Sequence, residues 1–298
     1  MRGKAVALAS CVGIILLLAA ADTQGQIARV RSATLLAAGD IGSCTAAAAA
    51  TGALVARHRG TVATLGDNAY PNGTPDDFAR CYDPVWGRVL SRTRPAAGNH
   101  DYLTPGAAGY FGYFGRRAGN PSRGYYTYRL RAWRVIVLNS NCDAVGGCGN
   151  GSPQEEWLRA ILRAHRVRCT LAYWHHPRFS TGSHGDDVSS DAFWRDLYAA
   201  GADVVLTAHD HDYERFAPIG ATGVVDQRYG VREFVVGTGG GELHPFSSDD
   251  PALRARENTV FGVLRLVLRP RGYSWRFLPA AGGTFHDGGT ARCHAPPP

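Results

Sequence analysis

Residues 203–213 read DVVLTAHDHDY, a short apolar run followed by two histidines with one aspartate between them. On extended backbone, side chains two residues apart point to the same side, so His209 and His211 are predicted to face one site. A polar turn that caps a strand explains the same letters equally well. The choice between a turn and a metal site therefore depends on the residues at which the other apolar runs of the chain end.

Four other apolar runs also end at residues that can bind a metal. The five runs, predicted as buried strands, are TLLAAG, TVATLG, RPAAG, CTLAYW and DVVLTA. The residues at their ends are Asp40, Asp67, Asn99, His175 and His209. Sites in open α/β sheets form outside the carboxyl ends of strands, so these five residues are predicted to converge, together with Tyr70 and His211.

Helical patterns lie between the strands and indicate an α/β chain. Residues 46–58 form the first pattern. In SPQEEWLRAILRAH, Ser152 is the predicted N-cap, Pro153 takes the first helical position and Glu155 closes a capping box. A third helix, SSDAFWRDLYAAG, is predicted to end at Gly201.

The remaining segments are predicted as strands or as loops. EFVVGT, FGVLRLVLRP and YSWRFLP have the composition of strands joined by turns. Three Gly-rich stretches are predicted as irregular loops: 102–124, 141–153 and 237–258.

The chain opens like a secretory signal. MRGK is basic, AVALASCVGIILLLAA is apolar, and alanines occupy positions 19–21. We expect a signal peptide over residues 1–21 and one domain over residues 22–298, without a linker or a repeat. A retained membrane anchor and lipid attachment at Cys11 are the alternatives. The protein is therefore expected to be secreted or extracytoplasmic, without stable membrane association after cleavage.

Six cysteines remain after the signal segment, and an even number in an exported chain favours disulfides over free buried thiols. Cys142 and Cys148 flank the Gly-rich loop DAVGG, so a disulfide between them is predicted. Six cysteines allow 15 connectivities, and for the remaining four the pairs Cys44–Cys81 and Cys169–Cys293 are expected.

The formal net charge is +7, and it falls to +5 once Arg2 and Lys4 are removed with the signal. Lys4 is the only lysine, so arginine supplies the positive charge of the rest of the chain. A positive field favours anionic substrates, although a coding bias toward arginine explains the same composition. Because the arginines form no run, we expect no nucleic-acid partner.

The residue types at the strand ends suit two different metal ions. A hard, anionic pocket suited to a trivalent ion comprises Asp40, Tyr70 and His211. A neutral pocket suited to a divalent ion comprises Asn99, His175 and His209. Asp67 has two carboxylate oxygens and can bridge both ions. Two ions about 3.5–4 Å apart can hold a hydroxide and clamp a phosphoryl group.

The blocks GDIG, GDNAY, GNHD, YWHH and AHDHDYER resemble those of the calcineurin-like metallophosphoesterases, and more narrowly those of purple acid phosphatases. The wider superfamily has a histidine where this chain has Gly42, and Tyr70 is the purple acid phosphatase variation. The resemblance implies a single-domain β-sandwich of two mixed sheets flanked by helices. It assigns the first metal, Fe(III), to Asp40, Asp67, Tyr70 and His211. It assigns the second metal, which is Fe(II), Zn or Mn, to Asp67, Asn99, His175 and His209.

The resemblance also implies an activity. It indicates an exported two-metal phosphatase that hydrolyses phosphate monoesters by attack of a metal-bound hydroxide on phosphorus. The alternatives are a phosphodiesterase or nucleotide pyrophosphatase with the same metal site, and a secreted binding protein that kept the fold without the chemistry. The expected partner is a small phosphate ester, and the oligomeric state is not predicted. The chain lacks G-x-S-x-G and a Walker lysine, which argues against serine and P-loop mechanisms.

Three residues beyond the metal ligands are predicted to serve catalysis. His100 is interpreted as the general acid or a phosphate contact, with Asp101 orienting it, and support of the metal site is the alternative. His184 matches the place where some family members carry a substrate-facing histidine, and a solvated loop residue is the alternative. His176 and Arg178 are predicted at the rim.

The second metal pocket departs from the family pattern in two places. Ala208 stands where glycine is usual, and the block around His175 lacks its usual valine. The methyl group at position 208 is expected to crowd the backbone near the second metal.

Overall fold

The computed structural model describes residues 32–164 and 167–298. The predictions of a signal peptide over 1–21 and of cleavage near Ala21 lie outside the described residues. Thirteen strands of the described chain pair into two β-sheets, one of six strands and one of seven.

The first sheet contains the predicted strands TLLAAG, TVATLG and RPAAG. Its members are β1 (Ala33–Ala38), β2 (Thr61–Leu65), β3 (Thr93–Ala96), β11 (Gly262–Arg269), β12 (Gly272–Pro279) and β13 (Gly288–Arg292). They lie in the order β13-β12-β11-β1-β2-β3. Strands β1, β2 and β3 are parallel, and the other three pair antiparallel, so the sheet is mixed.

The second sheet contains the predicted strands CTLAYW and DVVLTA. Its members are β4 (Tyr126–Leu130), β5 (Trp133–Val137), β6 (Cys169–Tyr173), β7 (Val204–Thr207), β8 (Tyr213–Ile219), β9 (Val231–Val236) and β10 (Leu253–Glu257). They lie in the order β10-β8-β9-β7-β6-β5-β4. The four central strands, β9, β7, β6 and β5, are parallel, and antiparallel strands complete both edges.

Short helices connect and flank the strands. They are α1 (Ala46–Arg57), α2 (Pro75–Asp77), α3 (Asn99–Leu103), α4 (Ala108–Phe114), α5 (Pro153–Ala164) and α6 (Asp191–Ala199). A π-helical turn, Phe78–Tyr82, continues α2. None of the helices within residues 32–164 and 167–298 has the length and apolarity needed to cross a lipid bilayer.

The ends of the predicted helices agree with their local signals, with one difference. The Ser152 hydroxyl accepts the backbone N–H of Glu155, as an N-cap does. The Glu155 carboxylate binds the N–H of Gly151 instead of that of Ser152, so the capping box closes one residue early. Beyond α6, Gly201 takes the left-handed conformation (φ +72°) that suits a residue just past a helix end.

The core lies between the two sheets and on the outer face of the second one. In β5, Val135 and Val137 join the cluster shared by both sheets, whereas Ile136 lies in a cluster on the other face. Leu158 of α5 and Leu197 of α6 belong to that outer cluster. Alternate side chains of one strand thus pack into two different layers, one between the sheets and one between the second sheet and its helices. This is the packing of a sandwich flanked by helices.

Two of the three stretches predicted as irregular loops contain an α-helix or a strand, and the third contains a short 3₁₀ helix, Cys142–Ala144. Helix α4 lies within 102–124, and strand β10 lies within 237–258. In α4, Tyr110 and Phe114 are fully buried and pack edge-to-face, 5.2 Å between ring centroids. Glycine content suggested loops there, but burial of aromatic side chains against other segments stabilises the helix.

All three predicted disulfides are present. Cys44 pairs with Cys81, Cys142 with Cys148, and Cys169 with Cys293. The first joins the segment after β1 to the π-helical turn, and the third joins β6 to the segment after β13.

Candidate active site and metal centre

The backbone is held in an unusual conformation just after three of the strands. Asp40, Asp67 and His209 follow β1, β2 and β7, and all three have positive φ, at +58°, +48° and +69°. Residues other than glycine seldom adopt this region, and such strain concentrates at functional sites. Three of the predicted metal ligands are thus the residues at which these strands turn.

The predicted first-metal ligands meet around the hydroxyl of Tyr70. Its oxygen lies 3.0 Å from Asp40 Oδ1, 3.1 Å from Asp67 Oδ2 and 3.2 Å from His211 Nε2. His211 Nε2 is also 3.3 Å from Asp40 Oδ1. These residues come from three loops of two different sheets, and together they present a hard, mainly anionic donor set.

Gly42 explains why a tyrosine supplies this donor. A Cβ atom on Gly42 would lie 2.0 Å from the carbonyl oxygen of Asn68. The Gly42 carbonyl accepts the backbone N–H of Tyr70 at 2.8 Å, so the two loops are in direct backbone contact. A histidine at position 42 would not fit this arrangement.

The predicted second-metal ligands also lie together. His175 Nε2 is 3.0 Å from Asn99 Oδ1 and 3.4 Å from Asp67 Oδ1, and the His209 ring lies 5.0 Å from the His175 ring. The two oxygens of Asp67 therefore face different donor groups: Oδ1 faces His175, and Oδ2 faces Tyr70. This is the placement that a bridging carboxylate needs.

Backbone carbonyls hold two of the imidazoles in one tautomer. The Nδ1–H of His175 donates to Leu65 O at 2.8 Å, and the Nδ1–H of His211 donates to Glu242 O at 2.6 Å. When neutral, each ring then presents its Nε2 lone pair to the carboxylate cluster, as metal-binding histidines do. The donor set therefore fits two adjacent cations that share Asp67.

Carboxylates and imidazoles compensate one another's burial in the metal-free protein. Burial alone would raise the pKa of Asp67, but His175 and His100 lower it below its usual range. Burial opposes the charge on His175, yet Asp67 raises its pKa to about 9. Burial likewise opposes the charge on His211, and Asp40 raises its pKa to about 9. The negative carboxylates and the protonated imidazoles of the cluster therefore balance one another. Metal cations can take the place of the protons on these imidazoles.

His100 lies beside the first pocket, and Asp101 does not orient it. The His100 ring is 4.5 Å from the Tyr70 ring, and its Nε2 is 3.8 Å from Asp67 Oδ2. Its Nδ1 donates to Pro71 O at 2.6 Å, so this carbonyl is the group that orients the imidazole.

The predicted role of Asp101 as the partner of His100 is therefore wrong. Its buried carboxylate accepts the N–H of Gly98 at 2.8 Å and the side-chain amide of Asn68 at 2.8 Å. Burial, together with the nearby charge of Asp67, raises the pKa of Asp101 to about 7. Asp101 thus joins the loop after β2 to the loop after β3 and holds the two ligand-bearing segments together.

His184 is anchored at the site, while its side chain remains 42% exposed to solvent. Its ring is 4.3 Å from the His209 ring, and the buried Asp210 carboxylate binds both its Nδ1, at 3.0 Å, and its backbone N–H, at 2.8 Å. The solvated alternative is thus right about exposure, but the loop sequence did not reveal the anchoring aspartate, which lies far along the chain.

The two residues predicted at the rim, His176 and Arg178, are both partly exposed. The His176 ring lies 4.4 Å from that of His209, and burial with the nearby His175 lowers the pKa of His176 to about 3. Arg178 forms ion pairs with Asp186 and Asp191, which occupy its guanidinium.

His244 was not assigned to the site from sequence, yet it borders it. Its ring stacks nearly parallel on that of His211, 4.2 Å between centroids with an interplanar angle of 14°. No local motif marks this residue, because its position depends on how the loop after β9 folds back.

The methyl group of Ala208 was expected to crowd the second pocket, but it does not. It lies against Gly39, where an added Cβ would be 2.4 Å from Ala208 Cβ. The missing side chain at position 39 leaves the space that the alanine fills, so the two strand ends pack without displacing His209.

Comparison with known proteins identifies relatives of this fold. The family model for calcineurin-like phosphoesterases matches residues 33–213. A purple acid phosphatase from yellow lupin seeds superimposes with a TM-score of 0.74 at 17% identity, over 87% of this chain and 53% of the lupin chain. This chain therefore spans about half the length of the lupin protein.

Two further solved structures share the fold. GAP50 of Plasmodium, described as the anchor in the inner membrane complex, gives a TM-score of 0.68 at 13% identity and covers 89% of both chains. The structure of PhoD gives 0.60 at 13% identity, over 87% of this chain and 68% of that one. No curated protein matches the chain.

Proposed function

Because the chain belongs to the calcineurin-like phosphoesterase family, with a fold like that of purple acid phosphatases, we propose that it is an exported phosphatase for phosphate monoesters. The family makes it a metal-dependent phosphoester hydrolase. The preference for monoesters, the export and the identity of the metals are the parts that we propose.

The observation that carries the proposal is the contact of Tyr70 with both carboxylates. Its hydroxyl lies within 3.1 Å of Asp40 and of Asp67, which supports a phenolate ligand to a hard, trivalent ion. We assign Fe(III) to Asp40, Asp67, Tyr70 and His211. We assign Fe(II), Zn or Mn to Asp67, Asn99, His175 and His209. Two such metal ions, when bound, activate water and neutralise charge on a phosphoryl group.

The chain's own residues hold the substrate and move its protons. His100 lies next to Asp67 and Tyr70, where it can donate a proton to the leaving oxygen of an ester. Asp210 accepts the Nδ1–H of His184 and fixes the ring beside His209, where a ring that carries both protons can donate its Nε2–H to a phosphoryl oxygen. The two histidines contact different ligands, so the scissile phosphorus is expected between them.

Three disulfides support export. Such bonds persist in oxidising compartments and are rare in the cytosol. Peptide mapping of the protein from its native source under non-reducing conditions should recover all three crosslinks, and free thiols there would argue against export.

Metal analysis combined with substrate screening tests the activity. Purified protein should contain two metals per chain and should hydrolyse aryl and alkyl phosphate monoesters faster than the matching diesters. Faster cleavage of diesters would replace the proposal with a phosphodiesterase, and a protein that holds two metals without cleaving either class would leave only a binding role.

Substitution of Asp67, with a matched control, tests whether this residue bridges the two metals. Asp67→Asn should lower metal content and turnover together, because an amide cannot bridge two cations as a carboxylate does. Asp249→Asn makes the same change at an exposed carboxylate and should alter neither. An Asp67→Asn protein with two metals and normal turnover would disprove the bridge.

A further inference from the structure

The segment after β9 wraps around the His211 ring. Glu242 O accepts the Nδ1–H of His211, and the backbone N–H of His244 donates to His211 O at 3.1 Å. The His244 ring then stacks on the His211 ring, 4.2 Å between centroids. This segment therefore fixes one metal ligand and places a second imidazole directly beside it.

A second loop brings His184 to the same place. Its ring lies 5.5 Å from that of His244, and the neighbouring Ser183 hydroxyl lies 3.2 Å from His244 Nδ1. Asp210 holds the Nδ1 of His184 at 3.0 Å. In both rings the protein engages Nδ1, so Nε2 is the nitrogen that each has available for a ligand.

Packing alone does not require this arrangement. A phenylalanine or leucine would cover His211 as well as an imidazole does, and neither would need a hydroxyl at Nδ1. Ser183 instead fixes the plane of the His244 ring, and when its hydroxyl donates to Nδ1 the ring proton lies on Nε2. An oriented N–H at a half-buried position is suited to an anionic oxygen.

We propose that His244 binds the phosphoryl group of the substrate and, with His184, forms a two-imidazole clamp for its non-bridging oxygens. This inference rests on the proposed function, since it takes a phosphate ester as the ligand. The clamp contacts the His209 and His211 side of the ligand cluster, whereas His100 contacts the Asp67 and Tyr70 side.

The experiment measures binding of inorganic phosphate to the metal-loaded protein by calorimetry, together with steady-state kinetics on an aryl phosphate. His244→Phe keeps a ring to stack on His211 but removes the N–H donor. Metal content should stay at the wild-type level, the Kd for phosphate and the KM should each rise about tenfold, and kcat should change less. His244→Gln keeps a donor and should lose less affinity.

A matched control is His286→Phe, the same change at an exposed histidine, which should leave phosphate affinity unchanged. Wild-type phosphate affinity in fully metal-loaded His244→Phe would overturn the inference. The inference would also be overturned if His244→Phe lost metal while the molecules that kept their metals bound phosphate with wild-type affinity. His244 would then only hold His211 in place. Phosphate binding is measured without turnover, so a wild-type protein that binds phosphate but hydrolyses no monoester would disprove the proposed activity and not the clamp.

Discussion

The Nδ1 of His184 lies 3.0 Å from Oδ1 of Asp210, a fully buried carboxylate that also accepts the backbone N–H of His184 at 2.8 Å. The other oxygen of Asp210 accepts a hydrogen bond from the hydroxyl of Ser180. Asp210 stands between His209 and His211 in sequence, so one short segment carries two predicted ligands and the anchor of a third imidazole. The orientation of His184 is thus coupled to the metal centre.

Asp210→Asn should therefore act mainly through His184. An amide offers one acceptor where the carboxylate offers two, so the loop loses part of its anchor, and kcat/KM should fall roughly 10–100-fold. Metal content is measured alongside, because the flanking residues are predicted ligands. If Asp210 acts through His184, the double variant with His184→Ala should be no slower than His184→Ala alone. Fully additive losses would show that the two residues act independently.

Tyr70→Phe tests the nature of the first metal. A phenolate bound to Fe(III) donates charge into its empty d-states and gives a visible absorption band, so iron-loaded, oxidised protein should be coloured. Tyr70→Phe should lose the band while Asp40, Asp67 and His211 still retain some metal. Tyr113→Phe, which changes a tyrosine hydrogen-bonded to Asp83 outside the site, should keep it. A colourless wild-type protein shown to contain Fe(III) would contradict the assignment.

His100→Ala tests the proton donor. The Nε2 of His100 is 3.8 Å from Asp67, so the variant should keep its metals while losing the acid. The rate should fall on the order of 10²–10⁴-fold for alkyl phosphates, whose leaving groups need the proton, and less for activated aryl phosphates. Kinetics across a series of leaving groups measures this difference. A loss of equal size for every ester would mean that His100 only positions the phosphate.

Metal binding should depend on pH. Neighbouring carboxylates raise the pKa of His175 and of His211 to about 9 in the metal-free protein. Both imidazoles are therefore charged at neutral pH and must lose a proton before they bind a cation. The affinity of the metal-free protein for Zn²⁺ should rise as the pH increases from about 6 toward 9, with proton release measured by calorimetry in buffers of different ionisation enthalpy. An affinity independent of pH over this range would contradict these pKa shifts.

Much of the ligand set could be predicted from sequence because strands and their ends are local signals. Each of the five predicted apolar runs forms a strand, and the side chains after them meet in one site. The prediction failed where glycine content was taken to mean loops, as in α4 and β10. These elements depend on burial against segments distant in sequence, which composition within a short window does not report.

Residue types in their order along the chain determined which donors could bind metal and which family the blocks resemble. The tertiary structure decided which groups touch. It placed Pro71 instead of Asp101 at the Nδ1 of His100, and it folded a distant loop so that His244 stacks on His211. The physical reason is that a strand end fixes its own side chain through local backbone geometry, whereas a contact between two loops depends on how the two sheets pack.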